Sequence, residues 1–175
     1  IPTPVIMHFI RDYEKNGKYT GFPTLPAMWQ KLENPNMRKF LKMTPAQKGV
    51  MVRRVDPVSP GSNKLKNGDV LLSFDGVEIA NDGTVPFRTG ERISFHYLVT
   101  EKFVGEKARV TFLRDGTTHA VDLPLTPVPP LVPVHIEGVP PSFYIAAGLV
   151  FTTVCVPYFK SASGKAYDYD SPVQL

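Results

Sequence analysis

Short apolar runs separated by turn residues predict a small antiparallel sheet in the middle of the chain. Each run is rich in apolar and β-branched residues, as strands are. The predicted strands are Leu25–Gln30, Val50–Val55, Val70–Phe74, Ala108–Leu113 and Thr118–Leu123. Asp75-Gly76 and Asp115-Gly116 are typical hairpin turn pairs, because such turns need left-handed backbone at both central positions. We therefore expect a sheet built from hairpins with short connections.

Apolar side chains at three- and four-residue spacing predict helices in other segments. Thr3-Pro4 begins the first, because threonine caps a helix and proline suits its first position. This helix is expected from Pro4 to about Lys15. Its apolar stripe, which must lie against another part of the protein, is Val5, Ile6, Phe9 and Ile10.

Two more helices are predicted further along the chain. Asn34 caps a short one over Pro35–Leu41, whose inward residues are expected to be Met37, Phe40 and Leu41. The other is predicted over Glu91–Lys102, with a core-facing stripe of Phe95, Leu98 and Val99. A long helix beside an antiparallel sheet leaves a groove between helix and edge strand, and that groove can accept an extended peptide.

The prolines of residues 124–141 divide the chain, because proline favours extended, unpaired backbone. The residues before them suffice for one well-buried domain, whereas those after them are too few for a second of the same kind. We therefore expect a linker helix at 1–17, a domain at 18–126, a linker at 127–141 and the incomplete start of a second unit at 142–175.

Charge and cysteine content narrow the classes of partner. The formal net charge is +4 and the pI is about 9.2, but the basic residues are spread along the chain. Arg53 and Arg54 are adjacent, and on a strand they would point to opposite faces. No nucleic-acid partner is therefore predicted. The single cysteine, Cys155, excludes an internal disulfide and fits a reducing compartment.

Neither a membrane span nor a catalytic centre is predicted. The longest apolar run, Phe143–Val156, has 14 residues, whereas a transmembrane helix needs about 20, so we expect a buried strand pair or another core segment there. The four histidines lie far apart in the sequence and lack the short spacing of a metal site. No serine lies in a nucleophile motif. We expect no catalytic residue, no metal and no cofactor in this chain.

Two segments resemble the core of a PDZ domain. They are Gly49-Val-Met-Val-Arg-Arg-Val-Asp-Pro and Leu65-Lys-Asn-Gly-Asp-Val-Leu-Leu-Ser-Phe-Asp-Gly. Four further segments, taken in order, resemble plant-type Deg/HtrA serine proteases, especially the chloroplast branch: Ile1-Pro-Thr-Pro-Val-Ile, Tyr19-Thr-Gly-Phe-Pro, Asp82-Gly-Thr-Val-Pro-Phe-Arg and Leu131-Val-Pro-Val-His. The resemblance runs from Ile1 to about Phe159.

The resemblance implies the fold and the general role of the chain. The fold is α+β, a small PDZ-like antiparallel β-sandwich or partial barrel capped by helices, with an N-terminal linker helix and an incomplete second PDZ-like unit. In this family a trypsin-like protease domain precedes such a region, so the whole protein would be an ATP-independent serine endopeptidase of protein quality control. The alternative is a stand-alone PDZ adaptor without a protease partner.

The resemblance also implies a peptide-binding site, because PDZ domains bind a peptide as an added strand and hold its terminal carboxylate with loop N–H groups. The loop corresponds to Tyr19, Thr20, Gly21 and Phe22, and the edge strand to the segment of Leu25 and Ala27. Ile93 and Tyr97, one helical turn apart on the predicted helix, line the groove opposite, unless both only fill the core.

Pro26 departs from the family pattern, in which a glycine usually follows the apolar residue of the loop. Proline has no N–H, so one donor for a peptide is missing. Binding of an internal segment would tolerate this better than binding of a free C-terminus, and an equally simple alternative is that Pro26 only ends an unpaired edge. Of the next residues, Met28 and Trp29 should point to opposite faces, with the tryptophan in the packing.

Partners and location follow from the resemblance alone. The expected partners are unfolded or damaged polypeptides and further copies of the chain, in a trimer-based assembly that could reach a hexamer or more. Asp82–Arg88 is expected to be a loop, either simply packed or at an inter-subunit contact. The chloroplast is the expected location, with the mitochondrion and the nucleus as alternatives.

Overall fold

The computed structural model of the chain describes residues 3–127, 132–134 and 138–164. The chain divides into two compact units, residues 1–128 and 129–175. The helices of the first unit are α1 (Thr3–Asn16), α2 (Pro35–Phe40) and α3 (His96–Thr100). Its strands are β1 (Ala27–Lys31), β2 (Val50–Val55), β3 (Val70–Phe74), β4 (Val77–Glu78), β5 (Thr84–Arg88), β6 (Glu91–Ser94), β7 (Lys107–Arg114) and β8 (Thr117–Pro124). The described part of the second unit contains β9 (Phe143–Ala146), β10 (Leu149–Thr152) and α4 (Val156–Ser163).

Antiparallel hairpins build the first unit. One sheet has the strand order β1-β2-β3-β7-β8, with β4 added to β3, and β5 pairs with β6 in a separate hairpin. The turn pairs of the sheet are left-handed as predicted, with φ of 47° and 81° at Asp75 and Gly76 and of 52° and 84° at Asp115 and Gly116. The α+β fold, an antiparallel sheet with capping helices, is confirmed.

Both faces of the sheet are covered by apolar side chains. Val70 and Leu71 are neighbours on β3, so their side chains point to opposite faces. Leu71 belongs to the main core, together with Phe95 and Val99 of the α3 region. Val70 belongs to a smaller cluster beneath α2, which Met37 and other methionine and leucine side chains complete.

The predicted helix over Glu91–Lys102 is wrong in its first turn. Glu91–Ser94 forms β6, with Ile93 opposite Val85 of β5. The guanidinium of Arg92 donates to the hydroxyl and the carbonyl of Thr84, at 2.8 and 2.9 Å. These cross-strand contacts hold the segment extended, so the helix is confined to His96–Thr100. By the same pairing, Thr84–Arg88 is a strand rather than part of a loop.

The short helix α2 begins as predicted. The side chain of Asn34 accepts a hydrogen bond from the N–H of Asn36 at 2.9 Å. Met37 and Leu41 pack inward. Phe40, the last residue of the helix, does not, since its side chain is 81% exposed, so its predicted inward position is wrong.

An ion pair with a buried carboxylate ties the end of β7 to the connection before β3. Asp69 is 1% exposed, and its two carboxylate oxygens accept from Nε and Nη2 of Arg114, each at 2.7 Å. The same carboxylate accepts the N–H of Lys66 at 2.7 Å, and Arg114 also donates to the carbonyl of Lys64. The fork-to-fork geometry satisfies a charge that would be costly to bury alone.

In the second unit, β9 and β10 form an antiparallel hairpin around Ala147 and Gly148, whose φ values are 50° and 79°. A strand pair is thus present where one was predicted, but its large apolar side chains, such as Phe143 and Val150, are exposed rather than buried. Cys155 is buried before α4 and is a free thiol. The four-part division of the chain stays a prediction, and residues 165–175 of its tail lie outside the described residues.

Candidate peptide-binding edge and loop

β1 is the last strand of the sheet and pairs with β2 on one side. On β2, the N–H of Val52 donates to the carbonyl of Asp69 at 2.7 Å, and the carbonyl of Val52 accepts from Gly68 at 2.8 Å. Trp29 stands opposite Val52. Facing residues of an antiparallel pair either bond each other or both turn away, so the N–H and C=O of Trp29 point away from β2.

Ala27 repeats this arrangement two residues earlier. It stands opposite Val55, whose N–H donates to the side chain of Asn67 at 3.1 Å rather than to β1. The backbone groups of Ala27 therefore also point to the open edge, by which we mean the margin of β1 away from β2. Met28 is 60% exposed whereas Trp29 is packed against the core, as predicted. An added strand requires this every-second-residue pattern of donors and acceptors.

The segment that leads into β1, residues 19–26, is here called the lead-in loop. Gly21 has φ of +96°, a conformation that glycine adopts without strain. The N–H and hydroxyl of Thr24 both donate to the carbonyl of Thr126, at 3.3 and 3.1 Å. Leu25 and Pro26 are buried where the loop meets the core. The loop is thus fixed at its β1 end.

The amide of Thr20 in the lead-in loop is held by a carboxylate from α1. One oxygen of Asp12 accepts the Thr20 N–H, and the other accepts the Thr20 hydroxyl and the side-chain amide of Asn16, both at 2.8 Å. The bond from the Thr20 N–H lowers the pKa of Asp12 below its ordinary value of 3.8, although burial opposes the shift. The loop therefore binds a carboxylate in this structure, and that carboxylate belongs to the chain itself.

One helical turn before Asp12, the imidazole of His8 lies between two phenylalanine rings. Its centroid is 4.6 Å from that of Phe22 in the lead-in loop and 4.5 Å from that of Phe103 after α3, with nearly parallel planes. We call the space between these two rings the aromatic slot. His8 is 6% exposed, and its Nε2 has no hydrogen-bond partner. Lys15 places its ammonium 5.1 Å from the centre of the Phe103 ring.

The ring of Trp29 reaches from β1 to the segment before α3. Its centroid is 5.1 Å from that of Phe95, and the ring lies directly on Gly83, where a Cβ would come within 2.4 Å of it. Gly83 has φ of +82°. The indole therefore forms part of the floor beside the open edge. Position 83 must be a glycine for the ring to lie there, because any side chain at that position would overlap it.

Ile93 and Tyr97 do not lie one turn apart on a helix, because Ile93 is on β6. Ile93 packs against the main core. Tyr97 lies on α3, and its ring meets that of Phe87 edge to face at 5.4 Å. Burial, with a smaller effect of the Glu101 carboxylate, raises the pKa of Tyr97 above 10.0, so its hydroxyl stays neutral.

The structure gathers five of the predicted residues at one place, the lead-in loop: Tyr19, Thr20, Gly21, Phe22 and Leu25. Three further residues contact this loop or each other and were not among those predicted: His8, Asp12 and Phe103. A signal was present in α1, since His8, Asp12 and Lys15 recur at helical spacing on one face.

Within the ranges that the structure describes, no three His, Cys, Asp or Glu side chains are grouped so that they could hold a metal ion. The helices of the same ranges are all too short or too polar to cross a membrane.

Family models place PDZ domains over most of the chain. Residues 41–125 match one PDZ domain model and residues 132–175 match another. Among curated proteins, the chain is 52% identical over 157 residues to "Protease Do-like 2, chloroplastic" and 42% identical over 161 residues to "Protease Do-like 4, mitochondrial", both from Arabidopsis thaliana. These matches cover 90% and 92% of the chain but span 26% and 31% of the two relatives.

Solved structures show the same fold. "HtrA-type protease AlgW with decapeptide" matches with a TM-score of 0.51 at 24% identity, over 74% of this chain and 36% of that one. "HtrA-type protease AlgW with tripeptide" matches with a TM-score of 0.52 at 24% identity, over 74% and 39%. The likeness extends to the arrangement of helices and strands.

Proposed function

The chain belongs to the Deg/HtrA family of Do-like proteases through its PDZ domains, and on that premise we propose that it is the peptide-binding region of an ATP-independent serine endopeptidase of protein quality control. The observation that carries the proposal is the open edge of β1 beside the lead-in loop. Its ligands would be unfolded or damaged polypeptides, which expose extended backbone and apolar side chains. Relatives named as proteases support the activity of the whole protein.

Binding would occur by strand addition. Ala27 and Trp29 turn their backbone groups outward, as the bonding of their β2 partners requires. A peptide laid antiparallel to β1 would exchange hydrogen bonds with them at every second residue. The peptide's last residue would then reach the lead-in loop, because that loop immediately precedes Ala27.

The remaining predicted residues would complete the site. Tyr19, Thr20, Gly21 and Phe22 would surround the end of the peptide, with backbone N–H groups as donors and the Phe22 ring as an apolar wall. Leu25 would support the loop from the core. Ile93 and Tyr97 would contribute from the β6–α3 side, each through the part of its side chain that is not buried.

Peptides with a modified backbone test strand addition. We would use an alanine-rich peptide ending in valine with a free carboxylate, labelled with fluorescein, and measure binding by fluorescence anisotropy. N-methylation removes one backbone donor without changing the side chain. Methylation at the residues that face β1 should weaken binding about tenfold or more, on the order of one hydrogen bond left unmade. Methylation at the intervening residues is the matched control and should have little effect.

A uniform effect of N-methylation along the peptide would contradict strand addition. Absence of binding by the free acid, by its amide and by a reduced, unfolded protein would overturn the peptide-binding role altogether. The chain's single tryptophan gives a second readout, because Trp29 lies on β1 itself. Its emission should change when a peptide occupies the open edge.

We also propose where the chain contacts further copies of itself. The β5–β6 hairpin is not hydrogen-bonded into the main sheet. On it, Phe87 is 36% exposed, and the guanidinium of Arg88 lies over its ring at 4.9 Å. We place an inter-subunit contact of a trimer-based assembly there. Replacing Phe87 by Ser should lower the sedimentation coefficient of the oligomer if this is correct, and an unchanged coefficient would refute it.

The chloroplast is the proposed location, supported by the relative named chloroplastic.

A further inference from the structure

Within the first unit, α1 docks on the lead-in loop and on Phe103 mainly through its polar face. His8 and Asp12 contact the lead-in loop, and His8 and Lys15 contact Phe103. From the apolar stripe, the ring of Phe9 meets that of Tyr19 in the same loop at 4.9 Å. The apolar stripe predicted to be covered is instead turned outward on the described first unit, since Ile6 and Phe9 are 45% and 48% exposed. A helix that buries one imidazole and one carboxylate while its large apolar side chains stay about half exposed gains little from the hydrophobic effect on docking. The specific contacts of His8 and Asp12 therefore hold α1 in place, together with the ring contact between Phe9 and Tyr19.

Asp12 binds the loop as a free carboxylate would. Both of its oxygens are used, and two of its three donors are the N–H and the hydroxyl of Thr20. A peptide carboxylate that entered the lead-in loop would need the same Thr20 N–H. The two carboxylates cannot share it, because each backbone N–H provides a single donor.

His8 fits the aromatic slot less well than an apolar side chain would. The slot offers two ring faces, 4.6 and 4.5 Å from the imidazole centroid. It gives no partner to the buried Nε2, and a buried polar atom without a hydrogen bond is unfavourable. An aliphatic or aromatic side chain in the slot would have no unpaired polar atom. Such a side chain of a peptide could therefore displace His8 from the slot.

We propose that α1 is an internal competitor for the peptide site, in which Asp12 stands in for the terminal carboxylate of a peptide and His8 for its last side chain. The inference rests on the proposed function, because it assigns the regulation of the same loop. A peptide with a free apolar C-terminus binds only when α1 has left the lead-in loop. The apparent affinity is therefore reduced by the fraction of molecules in which α1 is undocked.

Substitution of Asp12 by Asn tests the competition. The side chain keeps its shape, but it loses the charge and at least one acceptor toward Thr20, so docking of α1 weakens. The free-acid peptide ending in valine should then bind about tenfold more tightly, as a higher undocked fraction requires. Glu14→Gln is the matched control, because it removes a carboxylate from the exposed side of α1 and should leave the affinity unchanged.

Substitution of His8 by Phe tests the slot in the opposite direction. Phenylalanine fills the same space between Phe22 and Phe103 without the unpaired nitrogen, so docking of α1 strengthens. The same peptide should bind more weakly than to the unchanged chain, by several-fold. A structural readout accompanies both variants: the amide resonance of Thr20, assigned by NMR, should move toward its undocked position in D12N and remain at the docked position in H8F.

The outcomes separate this inference from the proposed function. Peptide binding that is equal in the unchanged chain, D12N and H8F would overturn the competition and leave the peptide-binding role intact. An equal gain in D12N for the amidated peptide would overturn the replacement of one carboxylate by another. Absence of binding in every variant, with the Thr20 resonance responding in D12N, would overturn the peptide-binding role itself and with it the competition.

Discussion

Replacing Gly83 by alanine should destabilise the first unit and displace the ring of Trp29. Gly83 has φ of +82°, and a Cβ built on it would lie 2.4 Å from Cη2 and 2.6 Å from Cζ3 of that ring. Carbon atoms that are not bonded do not approach so closely. Either the indole must leave its place against Phe95 or the backbone around Gly83 must shift.

The cost has two parts that can be separated. A left-handed backbone at a residue with a Cβ costs about 1–2 kcal/mol. Overpacking against a ring costs about 1–3 kcal/mol more, so G83A should lose roughly 2–5 kcal/mol in all. Gly76 is the matched control, because its φ is +81° and a Cβ there would meet nothing within 4 Å. G76A should therefore show the first part alone.

Urea unfolding followed by tryptophan fluorescence measures both quantities. Trp29 is the single tryptophan, so the folded-state emission reports the place of its ring and the midpoint reports stability. G83A should have a lower midpoint than G76A and a red-shifted folded-state spectrum. If the two variants had equal midpoints and the unchanged protein's spectrum, the indole would not lie on Gly83 and the described floor of the site would be wrong.

Three further outcomes are expected. Pro26→Gly should leave the affinity for a free apolar C-terminus nearly unchanged in a titration, because the Pro26 carbonyl accepts the Asp56 N–H at 3.0 Å and residue 26 therefore faces β2 rather than the open edge; a clear gain in affinity would show that the missing N–H faces the peptide. Arg114→Ala should lower the free energy of unfolding by about 3–5 kcal/mol, measured with denaturant, since it leaves the buried Asp69 carboxylate without its counter-ion. The control is Arg109→Ala, which breaks the exposed ion pair with Asp122 and should cost about 0–1 kcal/mol. Equal costs for the two variants would refute this difference. The folded-state pKa of Asp12 lies below its ordinary value of 3.8. The contribution of the Asp12 carboxylate to docking of α1 should therefore be complete above pH 3.8 and should be lost as the pH falls through the lowered pKa. Undocking already above pH 3.8, seen in the amide resonance of Thr20, would contradict this.

Local signals in the sequence predicted the sheet well. The Asp-Gly pairs at 75–76 and 115–116 specify their turns through backbone conformation, which depends on the residues themselves. Asn34 specifies the start of α2 in the same way, through a bond to the second residue after it. Such elements need no information from distant parts of the chain.

The parts that could not be predicted depend on distant contacts. Glu91–Ser94 has the spacing of a helix, and only its pairing with β5 makes it a strand. The sequence predicts the position of the edge strand, but it does not predict that the loop beside it is occupied. Asp12 and Thr20 are eight residues apart on opposite sides of the turn at Gly17, and no periodic pattern indicates that a carboxylate will fold back onto an amide.

The length and flanks of β1 have a consequence for the behaviour of the protein at high concentration. An unpaired strand margin can recruit identical chains into fibrils, and proteins restrain this with short edges, proline and lysine. β1 has five residues, preceded by the buried Pro26 and ending at the exposed Lys31. Stacking copies of it in register would bring the Lys31 ammonium groups together in a repeating column. Their repulsion opposes self-polymerisation, whereas the binding of a single foreign peptide places no second lysine there.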